Sequence, residues 1–380
     1  MKNRSEAIDG YRGLMLFVMT CGHLAFLPFI TLAGMNVFVF IHAFTGFGWL
    51  SVVEGFCFLS GLVAGIASGR RWLAGRQSEV TEGAIKRTFM LYLIQIVMLL
   101  AFASALAMSQ WYYDCFYKLH SLVGIWIDGP GIRYFLDHPC IGAVLGSLFI
   151  YLPPYFDILP LFMCFTLITP LILRLIGQGN GNWVLMGSFS LWLFVQFIVP
   201  VSVLEAMFFN IPHDFGWFSQ SAFQLVYIVG LMIGFEIARG EEFLLWKWCG
   251  KIGALIALAL PILYFSGISL VDVDRFGWMR VVGFSLKALL AYGLAQVVVL
   301  RPFVPLGRWS LSVFIYHLIL VFGLTAFYEQ IGELPQWLCF CAYGLTLSTL
   351  WVIPLIQEWR QRVLAASPNV LASSSSGIAK

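Results

Sequence analysis

Charge is what this chain of 380 residues has least of: Asp, Glu, Lys and Arg together make up 11% of it. Soluble domains carry about 25%, so the chain has too few charges to clothe a water-facing surface. It also lacks a Walker loop, a GxGxxG run, a CxxC pair and any His/Cys spacing of the zinc-site kind. These gaps argue against nucleotide hydrolysis and metal catalysis, so no metal ligands and no bound cofactor are expected. The net charge of +3 gives no case for nucleic acid as a partner. Lys2, Arg4 and Arg12 precede an apolar run that continues to about Phe40, but no cleavage pattern of small residues follows. That segment reads as a retained first helix rather than a signal peptide. No internal repeat and no second soluble domain can be found.

What remains is apolar. Hydrophobic types reach 60%, mean hydropathy is +0.88, and there are 35 Phe and 14 Trp. A spanning helix needs about 20 mostly apolar residues. Such stretches fall at 13–33, 49–68, 88–108, 156–176, 182–202, 221–238, 252–268, 280–299, 310–327 and 336–356. With the N-terminus inside, the inner loops and ends collect Arg70, Arg71, Arg76, Lys86, Arg87, Arg174, Arg239, Lys247, Lys251, Arg301, Arg308 and the basic residues of both termini. The outer loops keep only Lys118, Arg133, Arg275 and Arg280, a strong positive-inside bias. The expectation is an all-α, multi-pass helix bundle of about ten spans in a bacterial inner membrane, surrounded by lipid, with both termini cytoplasmic.

Two regions depart from simple spans. Residues 109–155 begin with the aromatic loop Trp111, Tyr112, Tyr113, and the apolar stretch 140–152 is closed by Pro153-Pro154. It is too short to cross, which predicts a re-entrant or interfacial helix. The tail 367–380, with Ser373 to Ser376 in a row, cannot build a core and is expected to be disordered, leaving 1–366 as one membrane domain. The eight cysteines lie mostly in apolar runs as small fillers; Cys115 and Cys140 share the outer stretch and could pair.

Ionisable groups within spans are costly, so each is a site candidate. They are His23, Glu54, Asp157, Glu236, Lys287 and His317. Arg12 and His23 are eleven residues apart on the first helix, about three turns, hence on one face, with His23 about 16 Å above Arg12. A buried histidine of this kind can equally be a packing residue, and Glu54 or Lys287 can equally sit in a buried ion pair. The cluster Arg70, Arg71, Arg76, Lys86, Arg87 can anchor the chain to the membrane surface. It can also hold an anion, since guanidinium forks match phosphate geometry.

Three segments carry a resemblance. Ile8-Asp9-Gly10-Tyr11-Arg12-Gly13-Leu14 followed by His23, then Glu54-Gly55-Phe56-Cys57-Phe58-Leu59-Ser60-Gly61, then Leu306-Gly307-Arg308-Trp309-Ser310 running on to Tyr316-His317 resemble elements of membrane acyltransferase family 3. Within it, Ser51–Gly61 and Pro154 to Leu161 are similar to the OpgC-type succinyltransferases, which modify osmoregulated periplasmic glucans. One departure is that many relatives carry Arg-x-x-Arg at the start of the third helix, where this chain has Lys86-Arg87-Thr88-Phe89-Met90.

The resemblance implies an O-acyltransferase that moves an acyl group, succinyl from succinyl-CoA, to a hydroxyl of a periplasmic glucan. His23 would be the base, with Glu54 or Asp157 orienting it or binding sugar hydroxyls. Arg12, Arg70, Arg71, Arg76, Lys86 and Arg87 would hold the acyl-CoA donor, and Lys287 would meet a succinyl carboxylate. Asp9, Tyr316 and His317 complete the candidates. Another surface polysaccharide as acceptor, or a transporter or flippase using the same midplane groups, are the alternatives.

Overall fold

The computed structural model describes residues 2–26, 29, 41, 52–108, 144–149, 155–197, 220–240, 283–285, 287–288, 293, 300–328 and 334–366. Among these every regular element is helical, so the all-α expectation holds. The expected spans at 252–268 and most of 280–299, the tail, Cys115, Cys140 and the aromatic loop lie outside the described residues. The chain divides into two compact units, Met1–Phe47 with Val297–Lys380, and Gly48–Gln296.

The first unit holds α1 (Lys2–Phe26) and a late group of helices. The second holds α2 (Val52–Leu73), α3 (Gln77–Met108), α4 (Ile158–Gly177), α5 (Gly181–Phe197) and α6 (Gln220–Arg239). The late group comprises a 3₁₀ turn (Arg301–Phe303), α7 (Val304–Arg308), α8 (Ser310–Tyr328), α9 (Gln336–Ser348), a 3₁₀ turn (Thr349–Trp351) and α10 (Val352–Ala366).

Five of the described helical stretches are long and apolar enough to cross a membrane: Val52–Leu73, Gln77–Phe102, Ile158–Gly177, Ser221–Arg239 and Gln336–Val363. A sixth is added if α7 and α8, bent by 88°, form one span. α1 is not among them. Lys2, Arg4, Glu6, Asp9 and Arg12 occupy its first half, which leaves too short an apolar stretch within the described residues. In the region expected to re-enter the membrane, residues 144–147 form one helical turn. It closes at Phe149, whose φ is 59°.

In the second unit α2 and α3 form a hairpin. α2 ends on Gly75, whose φ of 76° lets Gly75 N–H and Arg76 N–H reach back to the Trp72 and Arg71 carbonyls at 3.0 and 2.9 Å, a glycine C-cap. α3 then begins at Gln77, well before the apolar stretch at 88. Lys86 and Arg87 are therefore helical rather than in a loop. The polar first turns carry ion pairs at helical spacing, Arg76–Glu79 (3.4 Å) and Lys86–Glu82 (2.5 Å). α4 starts directly after Asp157 with Pro160 in its first turn, where a missing N–H costs no helical hydrogen bond.

α2 and α6 pack backbone to backbone. Gly61, Gly65 and Gly69 recur every fourth residue on α2, facing Gly230 and Gly234 on α6. A methyl on Gly61 would strike the Tyr227 carbonyl, and one on Gly234 the Leu62 carbonyl. Small residues at this spacing let helices approach where lipid offers no hydrophobic drive, so dispersion does the holding. Several buried polar side chains of the unit are hydrogen-bonded. The Tyr227 and Thr169 hydroxyls lie 2.6 Å apart, and the Ser188 hydroxyl donates to Gln224 Oε1 at 2.7 Å. The Gln224 amide in turn donates to the Ser188 carbonyl at 2.8 Å, and the Gln95 amide to the Phe156 carbonyl at 2.8 Å. The outward faces carry Phe89, Val97, Leu167 and Trp183, the side chains expected against lipid.

Gly65→Val should test the seam. Its Cβ would lie 2.8 Å from Gly234 Cα and Phe235 N, and overpacking of this kind costs about 1–3 kcal/mol. The melting temperature of the variant in detergent should fall; an unchanged value would mean that the two backbones are not in close contact.

Candidate functional site

In the first unit the late segment folds around α1, and the reason lies in its small and polar residues. Gly13 of α1 and Gly307 of α7 sit at a crossing so close that a methyl on either would collide with backbone: the Phe303 carbonyl for Gly13, the Asp9 carbonyl for Gly307. Gly10 meets Leu300 at the same crossing, with its would-be Cβ 3.1 Å from the Leu300 oxygen. Directly after this contact the chain turns through 88° into α8. That turn puts Ser310 beside Arg12, whose Nη2 donates to the serine hydroxyl at 2.8 Å.

Further along the same pair of helices, His23 Nδ1 lies 3.1 Å from His317 Nε2, with ring centroids 5.3 Å apart and planes inclined by 30°. His317 is fully buried, and its Nδ1 lies 2.6 Å from the Phe314 carbonyl oxygen. The Phe314 ring packs on the His317 ring at 5.0 Å. From α9, the Tyr343 hydroxyl donates to the Cys21 carbonyl at 2.9 Å, which ties down α1 two residues before His23. Arg12 and His23, expected on one face of α1, thus both point at α8. Asp9 lies at the base of the crossing; burial pushes its carboxyl up from the usual range, while Arg12 and Arg308 pull it back. Tyr316 does not join the histidines, since its hydroxyl donates to Thr349 at 3.0 Å.

The second unit holds the other candidates. Glu54 is fully buried on α2 and Asp157 is buried ahead of α4; Lys287 also belongs to this unit. Glu236 pairs with Arg239 at 3.6 Å, one turn along α6. Arg70 and Arg71 occupy the last turn of α2. The next residue, Trp72, lines a cavity of about 550 Å³ together with Gln77, Ser78, Thr81, Pro170, Leu171, Arg174, Gly177 and Gln178. Arg174 is the cation in that lining and was legible only as a positive-inside charge. Of the cations expected to hold the donor, Arg76 and Lys86 are engaged with Glu79 and Glu82. Both pairs are exposed and hence weak. Among the described residues no group of His, Cys, Asp and Glu could hold a metal ion.

A half-buried imidazole bonded to a fully buried one can accept a proton from a substrate hydroxyl, and the Arg12 guanidinium, about three turns away on the same helix, can hold an anionic group. The family model described as OpgC protein matches residues 4–362. No curated protein and no solved structure matches the chain.

Proposed function

Because this chain belongs to the OpgC protein family, we propose that it is a membrane O-acyltransferase. It takes an acyl group, succinyl, from cytoplasmic acyl-CoA and passes it to a hydroxyl of a periplasmic glucan. The observation that supports this most is the His23–His317 pair, set on the same two helices as the Arg12–Ser310 bond. It gathers the resemblance's first and last motifs into one constellation able to handle a proton.

The reaction would run as follows. The sugar hydroxyl oxygen attacks the thioester carbonyl carbon while its proton passes to His23. The C–S bond then breaks, and the thiolate recovers the proton from the imidazolium, releasing free coenzyme A. General-base help of this kind is worth about 10²–10⁴ in rate. The donor's phosphates would be held by Arg174, which lines the cavity between α2, α3 and α4, with Arg70 and Arg71 supplied from the last turn of α2. Trp72 offers that cavity an aromatic wall. In this reading about ten spans cross an inner membrane with both termini in the cytoplasm, which brings the basic ends to the side where acyl-CoA is made.

Purified protein in detergent should consume succinyl-CoA when a glucan is supplied, with no membrane gradient present. Periplasmic glucans from cells lacking the chain should lose their succinyl mass increments. Intact glucan modification in the deletion strain would remove this acceptor, and absence of thioester consumption with any polysaccharide would leave a transporter as the better reading.

A further inference from the structure

The geometry points to His317 as a positioning residue that fixes the tautomer of His23, so that the nitrogen which accepts a proton is Nε2. The inference rests on the acyltransferase reading above and assigns a role within that same site.

The argument follows hydrogens along a chain of three groups. The Phe314 carbonyl oxygen can only accept, so the His317 nitrogen 2.6 Å from it, Nδ1, carries a hydrogen. His317 is 0% exposed, and a charge buried among apolar groups is costly, so the ring is neutral and its other nitrogen, Nε2, bears the lone pair. That lone pair faces His23 Nδ1 at 3.1 Å, so His23 donates there from Nδ1. A neutral imidazole with its hydrogen on Nδ1 is basic at Nε2. Reversing any one link would place a hydrogen on His23 Nε2 and disable that atom as a base.

The same bond acts again after proton transfer. When His23 becomes imidazolium, its Nδ1–H···Nε2 bond to His317 becomes charge-assisted and therefore stronger. His317 thereby favours the charged state that forms as the hydroxyl attacks, without touching the substrate. The sequence separates the two histidines by 294 positions. The spacing within 314–317 is what makes the device local at one end: three residues apart on a helix, the Phe314 carbonyl lies within reach of the His317 ring.

Three variants and one spectrum test this. In ¹⁵N-histidine-labelled protein in detergent, the His23 resonances, identified by their absence in His23→Gln, should show a protonated Nδ1 and an unprotonated Nε2. In His317→Leu the two tautomers should mix, and kcat should drop by about 10–10²-fold with KM for succinyl-CoA unchanged. His317→Gln, whose side-chain oxygen can accept from His23 Nδ1, should recover most of both signals. A His23 spectrum with hydrogen on Nε2 in the unaltered protein would overturn the inference, even if His317→Leu failed to fold. So would a fully active His317→Leu beside an inactive His23→Gln, although the acyltransferase reading would then survive. Conversely, unaltered protein that never turns over succinyl-CoA would sink the acyltransferase reading, and the spectrum would still decide the tautomer.

Discussion

His23→Gln is expected to lower acyl transfer by about 10²–10⁴-fold while the protein still inserts and still binds a non-reactive acyl-CoA analogue. The substitution is chosen for its chemistry. An amide fills much of the imidazole's space and can hydrogen-bond His317, but it cannot take up a proton near neutral pH, whereas histidine can. A histidine that merely packs between α1 and α8 would leave turnover largely intact when replaced in this way, with any loss appearing in thermal stability. Measuring succinyl transfer to glucan and analogue affinity on the same purified sample separates the two. Near wild-type transfer by His23→Gln would move the base elsewhere, to Glu54 or Asp157 in the second unit or to His317 itself.

The second large effect should come from the basic end of α2. Arg70→Ala combined with Arg71→Ala should weaken donor binding by about 10²-fold or more, since each charge-assisted contact to phosphate is worth roughly 1.5–3 kcal/mol. kcat at saturating donor should change little, because in the proposed reading these groups, in the last turn of α2, would hold the nucleotide rather than the thioester. The loss should shrink as salt is added, because screening already weakens the unaltered protein's contacts. Unchanged donor affinity in a well-folded double variant would reduce the cluster to its part in positive-inside topology.

Hydropathy made most helices legible, because about 20 apolar residues in succession have few other homes. The helix start near Asp157 was legible as well, from the apolar stretch 156–176 and the likeness of Pro154 to Leu161 to the OpgC type. The start of α3 was not, because hydropathy sees only the apolar part of a helix. Residues 77–87 are mostly polar yet helical, with ion pairs at i,i+3 and i,i+4 spacing along them, so hydropathy places Lys86 and Arg87 in a loop. The four-residue repeat of glycine in 61–69 was in plain view, yet its meaning depended on Gly230 and Gly234 lying opposite. Arg12 and His23 could be placed on one face from spacing alone. That Ser310 and His317 are what they face is a long-range fact, set by the crossing of α1 with α7 and the bend that follows it. Arg174 stayed hidden because a helix-end arginine looks the same whether or not it borders a cavity.

The glycine crossing of α1 and α7 has a mechanical meaning. Two rods in contact can slide along or roll about one another, and ordinary side chains absorb such motions by changing rotamer. Backbone pressed against backbone at Gly10, Gly13 and Gly307 has no such slack: a slide of half a turn would drive Tyr11 or Leu14 into a space that excludes even a methyl. The crossing therefore works as a detent that indexes one helix against the other. It sets the register at which Arg12 finds Ser310 and, farther along, His23 finds His317. Alignment at the reacting end is thus inherited from a notch near the start of α1, and wear at the notch would be felt as lost timing at the histidines.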